Sequence, residues 1–222
     1  MATLYKYLPS KYLDAFVGRG ELLFRSLSYF RNFEELQVRG DPFEGKRLYK
    51  PSGGLEITKT STGEKVLLPA AFEASVRDRE IFVFCLSKKL SPELAQVFKT
   101  DACVEITEPA LLLARLRSAL QLRRWVRGAR LLHGPVNYYS SEDPPLAEWA
   151  VPQRMVMRKT IEYSDQDEYR LAFARGGALR FNNVNTHISA TPGLNLTTLD
   201  GHPEHNVSLG SLSRICKVHW CE

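Results

Sequence analysis

Two short polar stretches, far apart in the chain, hold the side chains best suited to chemistry: Arg39-Gly40-Asp41-Pro42-Phe43-Glu44-Gly45 and Asp165-Gln166-Asp167-Glu168-Tyr169-Arg170. An ionised carboxylate avoids an apolar interior unless it is paired or put to use. Glu168 opens an apolar, strand-like run, where it can accept a hydrogen bond from a ligand hydroxyl. Arg170, two residues on, shares its face of a strand and offers the plainer alternative, a surface Glu–Arg pair beside a turn. Asp41 precedes proline, so its backbone is held extended and favours a turn. Such a turn sets Asp41 and Glu44 on one side and sends Phe43 to the core; a loop stabilised for its own sake explains the same pattern. Asp41, Glu44 and Glu168 together also have the chemistry to hold a divalent metal.

Aromatic and basic residues gather near the start. Tyr5-Lys6-Tyr7 alternates, so a strand there puts the two tyrosines on one face and Lys6 on the other; Phe24-Arg25, Ser26 and Ser28 follow. Tyrosines can stack on a planar ring, and Lys or Arg can neutralise a diphosphate. A half-buried edge strand would look the same. Further on, Arg115, Arg117, Arg123, Arg124, Arg127 and Arg130 crowd one stretch. Either they form a solvated helix face, or Arg123, Arg124 and Arg127 face a phosphate or nucleic acid. His202, His205, Cys216, His219 and Cys221 are metal-capable types, but a strand places Cys216 opposite to His219 and Cys221, and no C-x-x-C occurs; no metal is expected there. The G-x-S-x-G, Walker and dinucleotide-glycine patterns are absent, which argues against a serine hydrolase, a P-loop enzyme and a Rossmann dehydrogenase.

The elements that must position these residues read as α+β. At 222 residues and 44% hydrophobic content the chain can bury one substantial core, and no linker splits it, so a single domain over 1–222 is expected. Helices are expected over 10–19, from Tyr29 to Leu36, from Ser91-Pro92, and over 108–121 with Leu112, Leu113, Leu116 and Leu120 on one face. Strands are expected over 21–25, 81–86 (buried on both faces), 102–106, 136–139 and 169–174, with late ones near 184–188, 206–209 and 214–220, and a hairpin over 56–68. Residues 40–54 read as a loop, and 155–160 as either strand or helix. Few cysteines, no apolar run of membrane length and no signal-like start point to a reducing cytoplasm. The net charge of +5 favours anionic partners.

The order of the pieces resembles a family of uncharacterised bacterial proteins. Its members carry a Tyr-Lys-Tyr-type strand, an Asn-Asp-Pro-Phe-Glu-like loop, a Phe-Cys-Leu-Ser strand and a Glu-Tyr-Arg strand. Here these are Leu4-Tyr5-Lys6-Tyr7, Gly40-Asp41-Pro42-Phe43-Glu44, Phe84-Cys85-Leu86-Ser87 and Glu168-Tyr169-Arg170, with Val136-Asn137-Tyr138 and Lys159 between. Gly40 departs from the usual Asn. The layout is similar to that of ADP-ribosyltransferases acting on nucleic acids: a polar or aromatic motif on an early strand, hydroxyl and aromatic residues in the middle, a glutamate on a late strand. The resemblance implies short N-terminal helices around a mixed, mostly antiparallel sheet. It also implies NAD as a substrate and a nucleic acid or protein as acceptor, as in a toxin or antiphage effector. Glu168 would be the catalytic carboxylate. Tyr5, Lys6, Tyr7, Arg25, Ser28 and Phe43 would lie about the dinucleotide, and Asp41, Glu44, Tyr138 and Arg170 would lie about the substrate. The first motif usually opens with His or Arg, where this chain has Lys6. The alternative is a non-catalytic nucleotide- or nucleic-acid-binding module using the arginines of 115–130.

Overall fold

The computed structural model describes residues 2–31, 41–124, 126, 131–191 and 201–221. Its centre is the strand Ile81–Ser87. One edge of that strand pairs along its whole length with Glu168–Ala174, from Glu168 opposite Ser87 to Ala174 opposite Ile81. The other edge is shared. Leu4–Leu8 meets it at Ser87, opposite Tyr5, and Glu21–Ser26 meets it at Phe82 and Val83. The sheet therefore forks. One arm runs on through Ala102–Ile106 to Cys216–Trp220, the other to Glu204–Ser208, and Leu132–Pro135 extends the far side beyond Glu168–Ala174. Every pairing in this eight-stranded sheet is antiparallel. A second sheet, Lys46–Tyr49, Ala71–Val76 and Val184–Ser189, is antiparallel too, as is the hairpin of Leu55–Thr58 and Lys65–Leu68. Asn137–Tyr139 and Arg158–Thr160 form a parallel pair, so the fold is α+β and mostly antiparallel, as expected.

Side-chain alternation divides the core between the two faces of this sheet. Phe82, Phe84 and Leu86 join Tyr169, Leu171 and Phe173 on one face. The helix Pro109–Gln121 lies over it, burying Leu112, Leu113, Leu116 and Leu120. Ile81 and Val83 join Ala172 and Ala174 on the other face, against Trp149, Met155 and the second sheet. Glu168, Arg170, Cys85 and Ser87 continue that second face, and the apolar sheet becomes polar within two residues along each strand.

Several elements differ from expectation. Residues 10–19 form a 3-10 turn, Ser10–Tyr12, and then a π turn, Asp14–Gly18, whose wider loop brings Phe16 to 5.9 Å from Phe84. The aromatic helix spans Leu27–Arg31; the rest of its expected range, to Leu36, lies outside the described residues. The stretch read as a loop contains the strand Lys46–Tyr49, because its charged residues find partners inside: Lys46 pairs with Glu73 at 3.3 Å, and Arg47 lies against aromatic rings. Residues 155–160 are both things in turn, the end of the helix Pro152–Val156 and the strand Arg158–Thr160. All four cysteines are free. Among the described residues no helix is long and apolar enough to cross a membrane.

Candidate functional site

Glu168 is delivered by a sharp backbone change. The 3-10 helix Ile161–Gln166 ends on Asp167, which sits in the left-handed region at φ 40, and the strand starts at once. Aspartate tolerates that conformation better than most residues. The Glu168 backbone N–H donates to the Tyr138 hydroxyl at 2.9 Å, which fixes the strand entry against the parallel pair. Its side chain then turns inward and is only 3% exposed.

What it meets is a buried ionic network. Arg170 Nε donates to Glu168 Oε1 at 2.6 Å, and Nη2 lies 3.4 Å from Oε2. The same guanidinium grips Glu44 with both terminal nitrogens, at 2.7 and 2.8 Å, and Nη1 also donates to the Val156 carbonyl. Every N–H of Arg170 thus has an acceptor, the condition under which a buried charge is tolerated. Lys159 donates to Glu168 Oε2 at 3.2 Å and to Gln166 Oε1 at 3.0 Å. Asp41 closes the group. Its Oδ1 accepts the Phe43 N–H at 2.8 Å, the turn expected of Asp-Pro, and the residue is 1% exposed.

The charges set one another's protonation. Burial pushes the Glu168 carboxyl up, but Arg170 and Lys159 outweigh it and hold the group well below the usual carboxylate range. Glu168 is therefore ionised at any ordinary pH. Asp41 goes the other way: burial, then the Glu44 charge, raises it to about 6. Burial disfavours the Lys159 ammonium, yet the Glu168 charge more than restores it, so Lys159 stays protonated.

Asp41, Glu44, Tyr138, Glu168 and Arg170 therefore converge. Tyr5 is related to them by register alone; its ring packs against the cluster of Tyr7, Leu94, Ala95 and Cys103. Tyr5 pairs with Ser87 and Ser87 pairs with Glu168, so a tyrosine, a serine and a glutamate form one row across three strands on one face. The Ser87 hydroxyl is held by donating to the Gln166 carbonyl at 2.9 Å. Lys6 points to the opposite face, where its ammonium sits 4.2 Å over the Phe84 ring and donates to the Cys85 carbonyl at 2.9 Å, across the fork of the sheet.

The other predicted residues lie elsewhere. Tyr7 is a structural pin: its hydroxyl accepts the Ser91 N–H at 2.7 Å and donates to the Lys89 carbonyl at 2.9 Å. Arg25 pairs with Glu204 at 2.9 Å and lies 4.0 Å over the Tyr29 ring, on the other arm of the fork. Ser28 is buried there, hydrogen-bonded to Ser26 at 2.9 Å. Phe43 is half-buried. In the arginine-rich stretch, Arg115 and Arg123 donate to the Ser211 and Asn206 carbonyls and Arg117 contacts His133, while Arg124 is exposed; Arg127 and Arg130 lie outside the described residues. His219 pairs with Glu105 at 2.6 Å, and no three metal-capable side chains are grouped among the described residues. A surface cavity of about 520 Å³ opens elsewhere, between Ser10, Lys11, Lys99 and Cys221.

Lys159 stands in the network although residue types alone would not select it; its signal was its place in the motif order. Gln166 and Arg47 carried no such signal. Comparison with protein-family models, with curated proteins and with solved structures finds no match to this chain.

Proposed function

We propose that the face bearing Tyr5, Ser87 and Glu168 is the donor site of an ADP-ribosyltransferase-like enzyme, which takes NAD and modifies a nucleic acid or protein in the manner of a toxin or antiphage effector. The observation that supports this reading is the three-strand row itself. An early-strand tyrosine, a central-strand serine and a late-strand glutamate share one face and adjacent register.

The chemistry suits the residues. Breaking the nicotinamide–ribose bond releases neutral nicotinamide and leaves positive charge on the ribose ring. A fixed carboxylate stabilises that charge only if it is already ionised, which the Arg170 and Lys159 charges secure for Glu168. Oε1 is the tightly held oxygen, at 2.6 Å from Arg170 Nε. Oε2 has the longer contacts, 3.2 Å to Lys159 and 3.4 Å to Arg170, so a ribose hydroxyl would displace Lys159 there. The Tyr5 hydroxyl, raised by burial and by Glu105, remains a proton donor at neutral pH. Lys6 is committed to the Cys85 carbonyl and Arg25 to Glu204 and the Tyr29 ring, so a diphosphate would have to draw Arg25 away from Glu204. The arginines of 115–130 give the binding-module reading less support, because Arg115 and Arg123 are engaged by carbonyls of their own chain.

The test is nicotinamide release from NAD in the presence of DNA, RNA and protein acceptors. Wild type should release it. Glu168→Gln should slow release by about a hundredfold or more, on the scale of losing one electrostatic stabiliser. Because Glu168 belongs to a folding network, Tyr5→Phe serves as the second variant; it removes one hydroxyl and no buried charge. Failure of folded wild type to release nicotinamide with every acceptor, or equal release by Glu168→Gln, ends the proposal.

A further inference from the structure

Buried polar atoms without a hydrogen-bond partner are rare in folded proteins, and each calls for a reason. In the described part of this chain they are concentrated. Arg47 Nε and Nη1 and Trp149 Nε1 lie where the strand Lys46–Tyr49 meets the turn Ala147–Ala150, with Glu148 Oε1, ion-paired to Arg158, on the same turn and Gln153 Oε1 on the helix Pro152–Val156 that follows it. Arg47 is the centre of this group. Its guanidinium carbon sits 3.6 Å from the centroid of the Tyr139 ring and 4.7 Å from that of Trp149. Trp149 in turn stacks on Phe72 at 5.9 Å. The rings fix the plane of the guanidinium and leave Nε and Nη1 without an acceptor.

Arg170 shows how this fold treats a buried guanidinium when structure is the purpose: all of its donors are met by Glu44, Glu168 and a carbonyl. Arg47, 2% exposed, receives no such treatment. The nearest carboxylates are spent on other partners. Glu148 pairs with Arg158, and Asp143 accepts the Ser140 N–H at 2.9 Å. Burial depresses the Arg47 pKa to about 10, which still leaves the group charged at neutral pH. An unpaired buried charge is costly, and a planar, donor-rich fork held between aromatic rings is suited to oxyanions.

We propose that Arg47, clamped between Tyr139 and Trp149, is the anchor of a phosphate-binding site, in which phosphate oxygens accept from the Arg47 guanidinium and the Trp149 indole N–H. Residues 142–146, which lead into the turn Ala147–Ala150, are exposed. This site does not depend on the proposed transferase chemistry: it makes no use of Glu168 and would stand if NAD were not a substrate.

The test titrates folded, full-length protein with inorganic phosphate, with a nucleoside monophosphate and with a short single-stranded DNA. Sodium chloride at matched ionic strength is the control. The readouts are indole fluorescence and melting temperature. A saturable response to phosphate, absent with chloride and abolished by Arg47→Met, is the expected result. Tighter binding of the monophosphate or of the DNA then identifies the natural source of the phosphate. Arg47→Met should also melt no lower than wild type without ligand, because it replaces an unpaired buried charge with an apolar chain of similar length. Arg47→Lys keeps the charge but loses the fork, and should weaken phosphate binding by about tenfold or more. No saturable response in wild type, or an undiminished one in Arg47→Met, overturns the site. Should Arg47→Met fail to fold, the titration of wild type and Arg47→Lys still decides.

Discussion

Asp41 and Glu168 are both carboxylates in one buried group, and their neighbours send them in opposite directions. Glu168 is stabilised as an anion by Arg170 and Lys159, so its contribution to stability is present above its unfolded pKa and lost as the pH falls below it. Asp41 has a folded pKa raised to about 6, so its contribution is complete below its unfolded pKa, near 4, and is lost as the pH rises through 6. Asp41→Asn keeps an oxygen for the Phe43 N–H and removes the titration. Urea melts should show little difference from wild type below the unfolded pKa and an advantage for the variant that grows from there up to about pH 6. The advantage should level off at roughly 2–3 kcal/mol, the free energy of about two pH units. A constant difference across that range would mean that Asp41 is not the titrating group. The turn at Asp41 was legible in the sequence, because Asp-Pro restricts its own backbone. The pairing of Glu44 with Arg170 was not, because nothing local joins residues separated by 126 positions.

Elements whose signals are local were the ones the sequence disclosed. Ser91 caps the helix Pro92–Val97 with its hydroxyl accepting the Leu94 N–H at 3.3 Å, and proline fills the first helical position. The leucines of Pro109–Gln121 and the alternation of Glu168–Ala174 were equally plain. Lys46–Tyr49 and Ala71–Val76 stayed hidden. The first reads as a charged loop until Glu73 and the aromatic rings that shelter Arg47 are in place; the second shows no clean alternation of its own. The Ser91 cap also carries tertiary weight, since its backbone N–H donates to the Tyr7 hydroxyl. Ser91→Ala keeps that backbone bond and removes only the hydroxyl, so it should cost about 1 kcal/mol in chemical denaturation, the usual loss for a helix cap. Hydrogen exchange should loosen first over residues 92–97. A loss confined to a few tenths would show that the Ser91 hydroxyl is not what fixes the start of this helix.

At the scale of the molecule, two strands decide how the chain unfolds. Ile81–Ser87 and Glu168–Ala174 each send alternate side chains into opposite faces, so the leucine-rich core beneath the helix and the core beneath the second sheet share one backbone ladder of seven paired residues. The ionic network fastens the polar end of that same ladder, with Arg170 reaching across to Glu44 and so to the start of the second sheet. Neither core can open while the other keeps its strands in register. Cooperativity of this kind predicts a single unfolding transition, in which loss of secondary structure by circular dichroism coincides with the fluorescence change of Trp149 in the second core, read in a variant with Trp125→Phe and Trp220→Phe that keeps it as the one tryptophan. Arg170→Lys sharpens the test. It replaces the fork with a single ammonium, leaving acceptors on Glu44 and Glu168 unmet, and breaking one partner of a buried pair costs about 3–5 kcal/mol. If the ladder unites the cores, both probes should shift together to lower denaturant and remain superimposed. Separation of the two curves, with fluorescence falling first, would mean that the second sheet melts as an independent unit and that the network closes one core without joining it to the other.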